Sequence, residues 1–95
     1  MSNTRFEYDE EKALKNIAKH GMSFEEAITV FSDDFSITIY DEIHSIDEDR
    51  YIDIGRSIHN RLLVVVYTER RNRIRIISPR QATTVERKSY EQRDA

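Results

Sequence analysis

The segment from Tyr51 to Pro79, YIDIGRSIHNRLLVVVYTERRNRIRIISP, decides the architecture. Ile52 and Ile54 alternate with polar neighbours, Leu62 to Tyr67 is apolar on both sides, and Ile74 and Ile76 alternate with arginines; a period of two belongs to strands. The connections SIHN and ERRN leave room only for tight turns. The three runs therefore form an antiparallel meander, with the doubly apolar strand in the middle of the sheet. Working outward, Phe35, Ile37 and Ile39 alternate with Ser36 and Thr38 and predict a fourth strand with those three side chains buried. DEIHSIDED, residues 41–49, joins it to the meander as an acidic loop. Arg5 to Tyr8 reads as a short edge strand.

Helical signals flank the sheet. Asp9 is placed to cap a helix from Glu10 to His20 that has acids in its first turn, Lys19 and His20 in its last, and Gly21 as a stop. Leu14, Ile17 and Ala18, with Ala13 beside them, predict its buried face. Ser23 and Glu26 form an S-x-x-E capping box before the stripe Phe24, Ala27, Ile28, Phe31. A last helix has two competing starts, Ser78 with Pro79 and Gln81, or Thr83 with Glu86. Its apolar face is thin, mainly Ala82 and Val85. The reading is α+β: two N-terminal helices, a four-stranded antiparallel sheet and a C-terminal helix, in one domain spanning 1–95.

Composition narrows the function classes. The 95 residues include no cysteine, which removes disulfides and thiolate metal sites and fits a reducing compartment. Neither the N-terminal MSNTRFEYDEEK nor the longest apolar run, Leu62 to Tyr67, has the length or character of a signal or membrane segment, so the expected setting is soluble and cytoplasmic, with no membrane partner. The histidines His20, His44 and His59 show no close-spaced ligand pair, and neither a metal nor a cofactor is expected.

The formal net charge of −3 conceals a division. Residues 1–49 carry four basic and thirteen acidic side chains, and residues 50–95 carry eleven and five. A ligand senses the local field within a Debye length of ~8 Å, so the second half is a candidate polyanion-binding surface whatever the overall sign. Its cations are almost all arginine, whose planar fork suits phosphate. Strand alternation puts Arg71, Arg73 and Arg75 on one exposed face, with Arg70 in the preceding turn and Arg80 beside the start of the last helix. A plainer reading also stands: the same arginines pair with the acids of the first half, each exposed pair contributing only ~0–1 kcal/mol.

The ordered series FEYDEEKALKNIAKHGMSFEEAITVF, YIDIGRS, LLVVVYTER and IRIISPRQAT with the later ER and Tyr90 resembles the BrnT family, toxins of type II toxin-antitoxin modules. The likeness runs from Phe6 to Tyr90. It departs at Tyr8, where tryptophan is frequent, and at Pro79, where a small residue is usual and where the start of the last helix is altered if Ser78 caps it. The resemblance implies a RelE-like fold and a ribonuclease neutralised by a BrnA-like ribbon-helix-helix antitoxin, the complex repressing its own promoter DNA.

For such an enzyme the expected chemistry is metal-independent attack of a ribose 2′-OH on the adjacent phosphate. Arg80 and Arg75 are expected to hold the developing charge, and Arg56, Arg70, Arg71 and Arg73 to clamp the RNA backbone. Proton transfer falls to Glu86, Tyr67 or His59, with nearby guanidinium groups expected to lower the tyrosine's pKa. Each has a plain structural role as well: Glu86 closing a capping box, Tyr67 packing, His59 exposed in a turn. Two other classes use the same arginines without chemistry: a nonenzymatic nucleic-acid-binding or antitoxin-docking module, and a domain whose basic face meets an acidic protein.

Overall fold

The computed structural model describes residues 5–92. Five strands, β1 (Phe6–Tyr8), β2 (Ile37–Tyr40), β3 (Arg50–Arg56), β4 (Leu62–Arg70) and β5 (Arg73–Gln81), form one sheet in the order β1-β5-β4-β3-β2. The expected meander is present from β2 to β5, but the sheet is mixed and five-stranded, because the edge strand β1 pairs in parallel with Ile74–Ile76. Among the described residues the helices are α1 (Glu10–His20), α2 (Phe24–Thr29) with a 3₁₀ turn at Val30–Ser32, and α3 (Thr84–Gln92). Among the described residues, no helix is long and apolar enough to cross a membrane.

The sheet packs on both faces. On one, Leu63, Val65, Tyr67, Ile74 and Ile76 meet Phe24, Ala27 and Val30 in the larger core. On the other, Ile54, Leu62 and Val64 are covered by Tyr90 of α3. That leaves the hairpin end of the second face without a helix over it, and this is the face on which most of the arginines project. Gly55 is required where β3 crosses under the 3₁₀ turn: a Cβ there would lie 2.9 Å from Val30 and 3.0 Å from Ser36.

Several local expectations are corrected. α1 is capped as read, with Lys12 N–H donating to Asp9 at 3.1 Å and Gly21 in the left-handed conformation, but its buried residues are Ala13 and Asn16, while Leu14 is 70% and Ile17 45% exposed. The cause lies at the sheet edge. Beyond Ile76, β5 has no strand on its outer side, and Asn16 Nδ2 fills the gap by donating to Pro79 O and Met22 O, each at 3.1 Å. A carbonyl pointing outward puts its residue's nitrogen outward too, so Pro79 sits where a missing N–H leaves the β4 ladder intact. In β2, Phe35 precedes the strand and is exposed, and Ile39 lies half-exposed on an edge. In α3, Val85 is exposed and Tyr90 supplies the burial instead.

The Ser23–Glu26 box is only half formed. Ser23 Oγ accepts the Glu26 N–H at 3.0 Å, but the Glu26 carboxylate turns away to accept from Ser57 Oγ at 2.6 Å and from the Arg61 guanidinium. Those bonds hold its carboxyl below the usual range and pin the β3–β4 turn to α2. Of the two starts for α3, Thr83 is the one used: its N–H donates to Glu86 Oε1 at 2.8 Å, and its Oγ1 accepts the Glu86 N–H at 3.2 Å. Pro79 lies inside β5 and does not begin the helix.

Candidate nucleic-acid interface and catalytic site

Residues directly opposite in neighbouring strands share a face. The register therefore places Arg73, Arg75 and Arg80 of β5, Arg70 of β4, and Arg50 and Arg56 of β3 on the side that α3 partly covers. Strict alternation would separate two of these, since five residues from Arg75 to Arg80 is an odd number. A bulge removes the conflict: Val66 faces Ser78 and Tyr67 faces Ile76, so Ile77 has no partner on β4. Arg80 thereby points the same way as Arg75.

Arg71 departs from the expected row. It forms the β4–β5 turn with Asn72, both at positive φ, the geometry of a two-residue hairpin loop. Arg71 and Arg73, with Arg5, Glu69, Asn72 and Ile74, line a surface depression of about 660 Å³ at the tip.

The guanidinium groups are largely engaged. Arg80 makes a two-pronged pair with Glu86, at 2.8 and 2.7 Å. Arg70 does the same with Glu48 of the acidic loop, at 3.0 and 3.1 Å, and Arg75 meets Glu7 at 3.3 Å. The plainer reading of the sequence thus holds in part: Arg70 and Arg75 take carboxylates from the first half of the chain. Among the described residues, no carboxylate lies within ion-pair distance of Arg50, Arg56, Arg71 or Arg73. Arg56 instead lies over the Tyr90 ring, 5.8 Å from its centre. Asp33 joins these elements, accepting from the Tyr90 hydroxyl at 2.7 Å and the Arg56 N–H at 2.8 Å.

The Glu86 carboxyl is strongly perturbed. Its bonds from Arg80, with those from Thr83, hold the carboxyl at about 2 against an ordinary 4.5, so it is fully ionised at neutral pH. It is at once helix cap and arginine partner, and the two roles do not compete.

Tyr67 and His59 are not brought to this pair. Tyr67 projects into the opposite layer, stacked on Tyr51 with centroids 5.7 Å apart and donating to Asp53 Oδ1 at 3.1 Å. Burial, then the adjacent Asp53, pushes its phenol well above the ordinary value, the reverse of the expected lowering. The guanidinium groups lie across the sheet from it. His59 sits in the β3–β4 turn, which docks on α2 through the Ile58 N–H to Thr29 Oγ1 bond of 2.9 Å. That is the sheet end where Arg80 lies, but on the α2 side.

Sequence reasoning missed Arg50 and the partners Glu7 and Asp33, whereas the same reasoning allows the acidic loop that supplies Glu48 to fold over the arginine face. Arg50 was findable, since Arg50, Ile52, Ile54 and Arg56 share one alternation once β3 is begun a residue earlier. The carboxylates come from segments remote in the chain, and no local pattern marks them.

Residues 8–86 match the family described as ribonuclease toxin, BrnT, of type II toxin-antitoxin system. The 1.1 Å crystal structure of the Brucella abortus ribonuclease toxin, BrnT, is similar to this structure with a TM-score of 0.61 at 25% identity, over 81% of this chain and 94% of that one. No curated protein matches the chain.

Proposed function

Since the chain belongs to the BrnT family of ribonuclease toxins of type II toxin-antitoxin systems, we propose that it cleaves RNA without a metal ion, through attack of a ribose 2′-OH on the adjacent phosphate beside Arg80 and Glu86. The observation that carries this reading is the Arg80–Glu86 fork at 2.8 and 2.7 Å on the sheet's arginine face. A guanidinium that grips two carboxylate oxygens in this way has the geometry to grip two phosphate oxygens.

When a phosphate takes Arg80, Glu86 loses the partner that depresses its pKa and becomes a stronger base. It then accepts the 2′-OH proton, while Arg80 neutralises the charge that builds on the phosphorane oxygens. The 2′-oxygen forms its bond to phosphorus, the bond to the 5′-oxygen breaks, and the departing oxygen takes a proton from water. Arg75, Arg56, Arg70, Arg73 and Arg71 hold flanking phosphates. Tyr67 has no part in this scheme, because it faces the other layer. His59 has no part in it either, because its turn docks on the α2 side. The antitoxin in this reading is a BrnA-like ribbon-helix-helix protein, and the complex of the two represses its own promoter.

Incubation with RNA in EDTA, followed by mapping of the product ends, tests the scheme. Cyclic-phosphate ends are expected from the wild type and none from Arg80→Ala. Cleavage retained by Arg80→Ala removes Arg80 from the site, and RNA retained without strand breaks leaves a binding module.

A further inference from the structure

We infer that the row Ser78, Val66, Ile52 and Ile39 is a nucleobase subsite, so that the RNA taken by this face is single-stranded, with unpaired bases laid on the row and phosphates on the arginines beside it. The inference rests on the ribonuclease reading above.

Ser78 faces Val66, Val66 faces Ile52 and Ile52 faces Ile39, so the row crosses four strands on the arginine side. At about 4.8 Å between strands it is about 14 Å long. Two residues along β3 and β4, or about 7 Å away, the next row on that face is Arg75, Thr68 and Arg50. On the other flank the neighbouring row is Arg80, Val64, Ile54 and Ile37, which Tyr90 of α3 closes over at Val64 and Ile54. The row thus lies between an arginine row and the residues that α3 covers, with a guanidinium on each side.

The row is only partly spent on packing. Ile52 packs against the smaller core yet stays half-buried, Val66 is half-buried and belongs to neither core, and Ile39 at the sheet edge is 43% exposed. Apolar side chains between two arginine flanks, where a phosphate displaces Glu7 from Arg75 and Glu86 from Arg80, select a ligand that alternates anion with flat apolar surface. A single strand of nucleic acid does so, whereas a duplex stacks its bases away and offers phosphates alone. Arg75 and Arg80 are separated by four residues of the β4 ladder, about 13 Å, which gives a phosphate site at each flank with the bases between them.

The test measures binding, with a 2′-O-methyl oligonucleotide that cannot be cleaved, by fluorescence anisotropy. The wild type should bind the single strand at least about tenfold more tightly than the same sequence annealed into a duplex. Ile39→Ser with Val66→Thr should weaken single-strand binding about three- to tenfold and leave duplex binding unchanged. Replacing the bases by abasic sites should cost the wild type a similar factor and cost the double variant nothing further. If the double variant melts early, Ile39→Ser alone carries the test, since its side chain is already partly in water. Equal affinity for single strand and duplex overturns the inference, and so do base-removal losses of the same size in wild type and variant. A wild type that passes this test yet leaves ordinary RNA uncut would end the catalytic proposal and keep the subsite.

Discussion

Replacing Glu86 by glutamine removes the charge while keeping an oxygen that can accept the Thr83 N–H. In the folded protein the carboxyl is held at about 2 against 4.5, and a gap of that size corresponds to an upper limit of about 3 kcal/mol at neutral pH. Arg80 is 42% exposed on its side chain, so solvent screens the pair and about 1–2 kcal/mol is the expected cost of Glu86→Gln. For a domain of this size that is a fall in Tm of roughly 4–12 °C at pH 7. The sign with pH is fixed by the direction of the shift. A carboxyl depressed on folding contributes in full above its unfolded value and loses that contribution as pH falls toward the folded one. By about pH 3 more than half of the difference between wild type and Glu86→Gln should have gone. Urea denaturation of both proteins at pH 7 and pH 3 reads this directly. A difference that stays constant across that window would mean that the Arg80–Glu86 fork does not hold in solution, and the phosphate-like geometry assigned to Arg80 would go with it.

Asp53 should behave in the opposite way. Its carboxyl is buried, accepts hydroxyls from Thr38 at 2.7 Å and Tyr67 at 3.1 Å, and is raised by desolvation, so ionising it opposes folding as pH rises. Asp53→Asn should therefore gain on the wild type between about pH 4 and pH 7, and a urea midpoint difference that shrinks over that range refutes the account. Glu48→Gln frees Arg70 from its acidic-loop partner and should strengthen RNA binding at low salt while steepening the log–log salt dependence by up to about 0.7, one phosphate on a single strand. Equal slopes for the two proteins would show that Glu48 does not compete with RNA.

Features whose partners are close in sequence were legible. Asp9 and Gly21 bound α1 as read, the β4–β5 turn falls within ERRN, and the Thr83–Glu86 box is one of the two starts foreseen. Legibility fails where the deciding partner is distant. The amphipathic pattern of α1 locates an apolar side at Leu14 and Ile17, but the side that packs is the one from which Asn16 reaches the open sheet edge at Pro79. The parallel pairing of β1 spans three residues and leaves no periodic trace. Tyr67 looked like a proton carrier among arginines because alternation within a doubly apolar strand does not say which layer each side chain enters. The arginine cluster itself was legible, and so was its pairing with acids of the first half as a class; that Glu7 and Glu48 are those acids, and that Arg80 takes Glu86 of its own half, was not.

The unpaired Ile77 makes the length of β5 a functional quantity. An odd count of residues separates the two cations, yet they stay co-facial because one isoleucine drops out of the ladder. Deleting Ile77 would preserve that parity, since an even count on a regular strand ends on the same side. Adding one residue with the bulge retained would turn Arg80 inward against the larger core. Length change in this strand is therefore tolerated in one direction only, and side-chain chemistry has no say in which.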